Sequence, residues 1–317
     1  MVMKNIKEWT PPSIPENIPY GDMPGDKVKI EQRHVDLANV IFPRLLQEIT
    51  ENFSRDSQEE LSKLKLVISV CGGSGVGKSE VASLLSYYFN QMEIGSYTLS
   101  GDNYPHRIPK ENDAERARIF IEGVTSGGVD FLVNQEKEIS LIKKVTEISE
   151  TAFNREVEEK PSLKSLIAKG KESLRGYLGT DKEINFEELS KIIKEFKAGK
   201  VQIPLKRMGR ERTELWYDDL EFSKINVLIV EWTHGNNDLL QGVDLPILLC
   251  STPAETLAHR KARNRDGATD SAFTSIVLGI EQELLKSQAK KAKIIVTKKG
   301  EIIDYSHYME KINGIKE

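Results

Sequence analysis

A three-layer α/β/α fold on a mainly parallel sheet, carrying a helical insertion, is the class this chain predicts, on three observations. Five short apolar runs recur along it, each continuous rather than alternating, as suits strands covered on both faces. Helical patterns lie between the runs, the order that winds a parallel sheet. The first run leads directly into a glycine-rich loop and then a helical pattern.

The elements follow in order. Residues 1 to about 27 are rich in Pro, Gly and Asn and read as an irregular arm. From Val28 to Thr50 the residues Ile30, His34, Leu37, Ala38, Ile41, Leu45, Leu46 and Ile49 fall at helical spacing, with Pro43 as a kink. "LVISV" at 66–70 is the first strand, and Val81, Leu84, Leu85 and Tyr88 trace the helix after it. "SYTLSGD" at 96–102, "INVLIVEWT" at 225–233, "LPILLCS" at 245–251 and "AKIIVT" at 292–297 are the remaining strands. Helices are expected at 253–262 and 271–289. Between 130 and 200 only helical spacing is visible. Its last helix has Asn185 and Glu188 as a capping box, Ile184 and Leu189 as a staple, and Gly199 at its end. The expected organisation is an arm and helix over 1–60, a core over 61–129 and 201–317, and a helical insertion over 130–200.

The chain has 317 residues, 30% of them charged, and a formal net charge of −4. That mild acidity gives no reason to propose a nucleic acid or an anionic membrane as partner. No apolar run approaches the roughly 20 residues that span a bilayer. The first 27 residues lack the apolar core of a secretory signal. Cys71 and Cys250 each lie in or just after an apolar run, so two buried, reduced thiols in a cytoplasmic protein are expected.

"CGGSGVGKSE" at 71–80 contains the complete phosphate-loop pattern, Gly72-x-x-x-x-Gly77-Lys78-Ser79. Such a loop curls so that successive N–H groups point inward at phosphate oxygens, and the helix that follows adds its N-terminal dipole. Gly72, Gly73, Ser74, Gly75, Val76, Gly77, Lys78 and Ser79 are therefore expected to bind ATP. Lys78 reaches the β- and γ-phosphates, and Ser79 offers its hydroxyl to Mg²⁺. The fold class is accordingly that of the P-loop NTPases. Glu231 ends the strand "VLIVE", where a buried carboxylate needs a partner, and a hydrated Mg²⁺ supplies one. Asp102 ends the second strand, on the side of a parallel sheet where ligands bind. There it can take a proton from an acceptor hydroxyl, although "GDN" is also good turn chemistry. "HRKARNRD" at 259–266 sets Arg260, Arg263 and Arg265 close together, as a basic lid over transferring phosphate would. Tyr104, His106 and Arg107 after Asp102, with Arg207 and Arg210 in "LKRMGRER", are candidates for acceptor binding. The arginines suit an anionic acceptor, and a surface charge run reads equally well over 206–212.

Taken in order, the phosphate loop, "SGDNYP", "VLIVE" and the Arg-rich "HRKARNRD" resemble the uridine kinase and phosphoribulokinase group of P-loop kinases. The resemblance spans 64–124 and 200–299. It implies transfer of the ATP γ-phosphate to a small-molecule hydroxyl. Lys78 and Ser79 would hold phosphate and magnesium, Asp102 would be the base, Glu231 the acid beside the metal, and Arg260, Arg263 and Arg265 the lid. The helical stretch at 130–200 is large for that group, so no named substrate carries over. "GYLGTDKEINF" at 176–186 is a further candidate part of the acceptor pocket.

The expectation is thus an ATP- and Mg²⁺-dependent small-molecule kinase, with a homodimer as one assembly the sequence allows. The alternative is a partner-stimulated ATPase that uses the helical stretch as a docking arm. A regulatory GTPase fits poorly, since "TKKGE" at 297–301 has Gly300 where a guanine-reading Asp belongs. A non-catalytic nucleotide-binding module would not need Lys78, Ser79, Asp102 and Glu231 together.

Overall fold

The computed structural model describes residues 8–26, 28–53, 58–126, 136–263 and 271–314. In order they form α1 (Gln32–Phe53), α2 (Gln58–Leu61), β1 (Leu66–Gly72), α3 (Lys78–Gln91), β2 (Ser96–Ser100), α4 (Pro109–Thr125), α5 (Glu136–Lys143), α6 (Glu150–Glu159), α7 (Pro161–Arg175) and α8 (Phe186–Lys197). Then come β3 (Gln202–Met208), β4 (Leu215–Glu221), β5 (Val227–Glu231), β6 (Leu245–Cys250), α9 (Pro253–Arg263), α10 (Ala272–Gln288), β7 (Ile294–Thr297), β8 (Ile302–Ile303) and α11 (Tyr305–Gly314).

The chain divides into two compact units. The first comprises Met1–Tyr104, Phe186–Thr252 and Leu285–Glu317. The second comprises Pro105–Asn185 and Pro253–Leu284, so it begins before the 130–200 read from the sequence, stops short of its end and takes in a later segment.

In the first unit a six-stranded sheet runs in the order β2-β5-β1-β6-β7-β8. The first five strands are parallel and only β8 is antiparallel. All five expected strands are present. Every residue of β1, β5 and β7 is buried, which explains their unbroken apolar runs. One face is covered by α1 and α3. Ile41, Phe42, Leu45 and Ile49 of α1 meet Val81, Leu85, Tyr88 and Phe89 of α3 over Ile68 and Val70. Trp9 of the arm completes this packing, its ring centroid 4.7 Å from Phe42 and 5.1 Å from Tyr88. On the other face Leu285, Ala289 and Tyr308 pack on Cys71, Leu248, Cys250 and Ile295. The result is three layers. Helix α1 runs through Pro43.

Three strands were not anticipated: β3, β4 and the short β8. β3 and β4 form an antiparallel hairpin, with Arg207 opposite Trp216 and Leu205 opposite Asp218. Its outer strand is exposed along most of its length, including Leu215, Trp216 and Tyr217. Helix α8 precedes it and ends in a Schellman motif at Gly199, with φ of 76°. The Lys200 N–H donates to the Glu195 carbonyl and the Gly199 N–H to that of Phe196.

The second unit is helical, with a core of Phe120, Val124, Ile142, Leu163, Leu166, Leu174, Phe273 and Ile276. Among the described residues no helix is long and apolar enough to cross a membrane.

Candidate active site

The phosphate loop connects β1 to α3 across the C-terminal edge of the parallel strands, with β5 and β6 on either side of β1. Its backbone needs glycine. Gly72, Gly75 and Gly77 have φ of 155°, 76° and 102°. A Cβ at Gly72 would also stand 2.8 Å from the Leu249 carbonyl oxygen. At Gly77 it would lie 3.0 Å from the His34 ring, which α1 brings over the start of α3. Helix α3 begins at Lys78, so its unpaired N–H groups open onto the loop. The Lys78 ammonium donates to the Gly73 carbonyl at 3.1 Å, folded against the loop it serves.

Glu231 sits at the end of β5, in register with Val70 of β1 and Ser100 of β2. It is buried. The Ser79 hydroxyl donates to its Oε2 at 3.2 Å and the Ser100 hydroxyl to its Oε1 at 2.9 Å. Burial, and next the charge of Asp102, push its carboxyl up to about 7. Glu231 thus lies close to Asp102, as well as in contact with Ser79.

Asp102 is exposed on a short 3₁₀ turn, Gly101–Asn103, that ends β2 two residues earlier than the sequence suggested. Trp232, the residue after Glu231, holds that turn. A Cβ at Gly101 would fall 2.1 Å from the indole Cγ. Only glycine lets the turn lie flat on that ring.

Four residues not anticipated complete the arrangement: Asp22, Tyr97, Ser100 and Asn103. Asp22 comes from the arm. Its Oδ1 accepts from the Ser100 N–H at 2.7 Å and the Asn103 side chain at 3.1 Å. Its Oδ2 accepts from the Tyr97 hydroxyl at 2.9 Å and from Arg207 at 2.8 Å. Burial raises the Asp22 carboxyl above its usual range, opposed by the charge of Arg207. No sequence pattern flags an aspartate inside "PYGDMPGD", because its partners lie 75 to 185 residues away.

The remaining candidates divide between the units. Tyr104 is fully buried in the first. Arg207 is also buried there, though not fully, and binds Asp22, Asp218 at 3.0 Å and the Tyr97 hydroxyl. Arg210 is exposed at the hairpin turn. His106, Arg107 and Arg260 belong to the second unit. The His106 ring lies 2.9 Å from the Asp181 carbonyl. Arg107 donates to the Tyr177 hydroxyl at 3.1 Å and pairs with Glu115 at 3.4 Å. The "GYLGTDKEINF" loop is locked by the buried Glu183, which accepts from Asn112, Arg116 and the Gly179 N–H. Arg260 is buried on α9 and donates to the Pro253 carbonyl at 3.1 Å. The Arg263 side chain and Arg265 lie outside the described residues.

Among the described residues no three His, Cys, Asp or Glu side chains are grouped to hold a metal. The oxygen donors beside the loop are the Ser79 hydroxyl and Glu231. One or two hard ligands suit a cation that keeps most of its waters and arrives with phosphate.

No protein-family model matches the chain. Over 240 residues, 76% of its length, the chain is 39% identical to the bifunctional alpha-galactosidase/sucrose kinase AgaSK of Mediterraneibacter gnavus, of which the match covers 21%. Over 68 residues, 22% of its length, it is 37% identical to the dephospho-CoA kinase of Wolinella succinogenes, covering 31% of that protein. The chain therefore spans about a fifth to a third of the length of these curated relatives. Among solved structures, D-glycerate 3-kinase from Cryptococcus neoformans aligns with a TM-score of 0.43 and 12% identity, over 87% of this chain and 99% of that one. All three are named as kinases of small molecules.

Proposed function

We propose that this chain is an ATP- and Mg²⁺-dependent kinase that phosphorylates a hydroxyl of a small carbohydrate. The observation that carries the reading is Asp102, an exposed carboxylate at the same strand ends as the phosphate loop and close enough to Glu231 to raise its pKa. A carboxylate there can take the proton of an acceptor hydroxyl, as phosphoryl transfer to an alcohol requires. In this reading Gly72 to Ser79 cradle the phosphates and Lys78 moves from the Gly73 carbonyl to the β- and γ-oxygens. Ser79 and Glu231 would hold Mg²⁺, directly or through its water, and the cation would neutralise phosphate charge. Asp102 takes the proton of the acceptor hydroxyl. The hydroxyl oxygen bonds to the γ-phosphorus as the bond to the β-phosphate oxygen breaks, and ADP leaves. Arg260, Arg263 and Arg265 are the candidates to neutralise the transferring group, and Tyr104, His106, Arg107 and Arg210 are the candidates to bind the acceptor.

An uncharged acceptor suits the arginines better than an anionic one. Arg207 is buried against Asp22 and Asp218, and Arg107 faces Glu115, so neither offers a full positive charge to a ligand. The relative named as a sucrose kinase makes sucrose the first acceptor to try.

The test is ADP release from Mg-ATP with sucrose, other neutral sugars, sugar phosphates, nucleosides and hydroxy acids. Wild type is compared with Lys78→Ala and Asp102→Asn. A neutral sugar should stimulate release. Asp102→Asn should lower the stimulated rate by about 10²–10⁴-fold while ATP still binds. Steady hydrolysis that no acceptor stimulates, and that Asp102→Asn leaves unchanged, would instead favour a partner-driven ATPase.

A further inference from the structure

The arm that precedes α1 reaches the strand ends where Asp102 and Glu231 stand. Gly21 lies against β2 and β5: a Cβ there would be 3.6 Å from Thr98 Cγ2 and 3.9 Å from Glu231 Cγ. The next residue, Asp22, grips the turn on both sides of Asp102. It accepts from the Ser100 N–H before it and from the Asn103 amide after it. The circuit then closes. Asn103 Oδ1 accepts from the Met208 N–H at 3.0 Å, and the neighbouring Arg207 returns to Asp22. The side chains of Asp22 and Arg207 are each 7% exposed, so water competes little for these bonds.

We propose that Asp22 is a positioning residue that fixes the 100–104 turn, and with it the carboxylate of Asp102, and that the arm is thereby a working part of the phosphoryl-transfer site. This rests on the kinase reading for its catalytic consequence. The physical basis is that a turn held by its own backbone alone samples several conformations. A general base must stay within hydrogen-bond reach of the proton it removes, and a 1 Å error costs rate steeply. Asp22 touches no reacting atom in this arrangement. It acts through Asp102.

The experiment uses the full chain carrying Asp22→Ala, the isosteric Asp22→Asn, and each combined with Asp102→Asn. Amide hydrogen exchange is measured over 99–104, 207–209 and the phosphate loop, alongside ATP binding and acceptor kinetics. The expected result is exchange at Ser100 and Met208 at least tenfold faster, with the phosphate loop unchanged. The kcat should fall about 10–100-fold with ATP Kd within twofold. Against Asp102→Asn the same Asp22 substitution should cost less than threefold, since a residue acting through Asp102 has nothing left to position. Equal losses in both backgrounds, or unaltered exchange at Ser100 in both variants, would overturn the proposal. Exchange requires no turnover. A wild type that phosphorylates no acceptor would therefore sink the kinase reading, while exchange alone still decides whether Asp22 holds the turn. If Asp22→Ala does not fold, Asp22→Asn carries the test, because it keeps the shape and loses the charge paired with Arg207.

Discussion

Gly101 is the residue on which the base-bearing turn rests, because the Trp232 indole occupies the space of any side chain. Gly101→Ala must move either the turn or the ring. It should cost about 1–3 kcal/mol in denaturant unfolding, as overpacking does. It should also cut acceptor phosphorylation at least tenfold while ATP binding changes less than twofold. Glu231 gives a pH prediction. Its folded pKa, about 7, lies above its ordinary value of 4.5. The protonated form is favoured in the fold, so the native state holds more protons than the unfolded chain between those values. Its contribution to stability is fully present below about pH 4.5 and is lost as pH rises through 7. Without nucleotide or divalent cation, wild type should lose stability relative to Glu231→Gln over that window and then level off. Urea titrations of both proteins across pH 4.5–8 check this. Mg-ATP should abolish the slope, because a bound cation favours the ionised form.

Helix α1 and helix α3 share the aromatic packing of Phe42, Tyr88, Phe89 and Trp9. Phe42 is fully buried there, so Phe42→Ala should cost about 3–5 kcal/mol by chemical denaturation. These elements were legible because their residues repeat at helical spacing, and the core strands because burial on both faces leaves them wholly apolar. The β3–β4 hairpin was not, for the opposite reason. Most of β4 is exposed, and Lys206 and Arg207 of β3 read as part of a charge run. Arg207 becomes intelligible only once Asp22, 185 positions away, is placed beside it. The site divides the same way. Gly72 to Ser79 are contiguous, and Asp102 and Glu231 end recognisable strands. The arm's contribution is long-range pairing in a segment whose Pro and Gly residues report only turns.

Taken whole, the first unit is closed to thiol reagents. Cys71 and Cys250 form no disulfide and are buried on one face of the sheet, and burial raises the Cys71 thiol to about 11. Neither should react with a thiol reagent in the native protein, and their labelling should track global unfolding rather than local opening. Absorbance-monitored labelling across a urea series would show this, and rapid labelling without denaturant would contradict it. The strand order sets one more property, which belongs to synthesis rather than to the finished protein. β1 pairs with β5 and β6, and β2 pairs with β5. Neither early strand has a sheet partner until residue 227 has been made. At ribosomal speed the stretch from 73 to 226 takes on the order of 10–30 s. Throughout that interval "LVISVCG" is a nascent apolar ribbon with α3 and the aromatic side of α1 as its shelter. In the finished fold α1 and α3 cover that strand, and they precede its sheet partners in the chain.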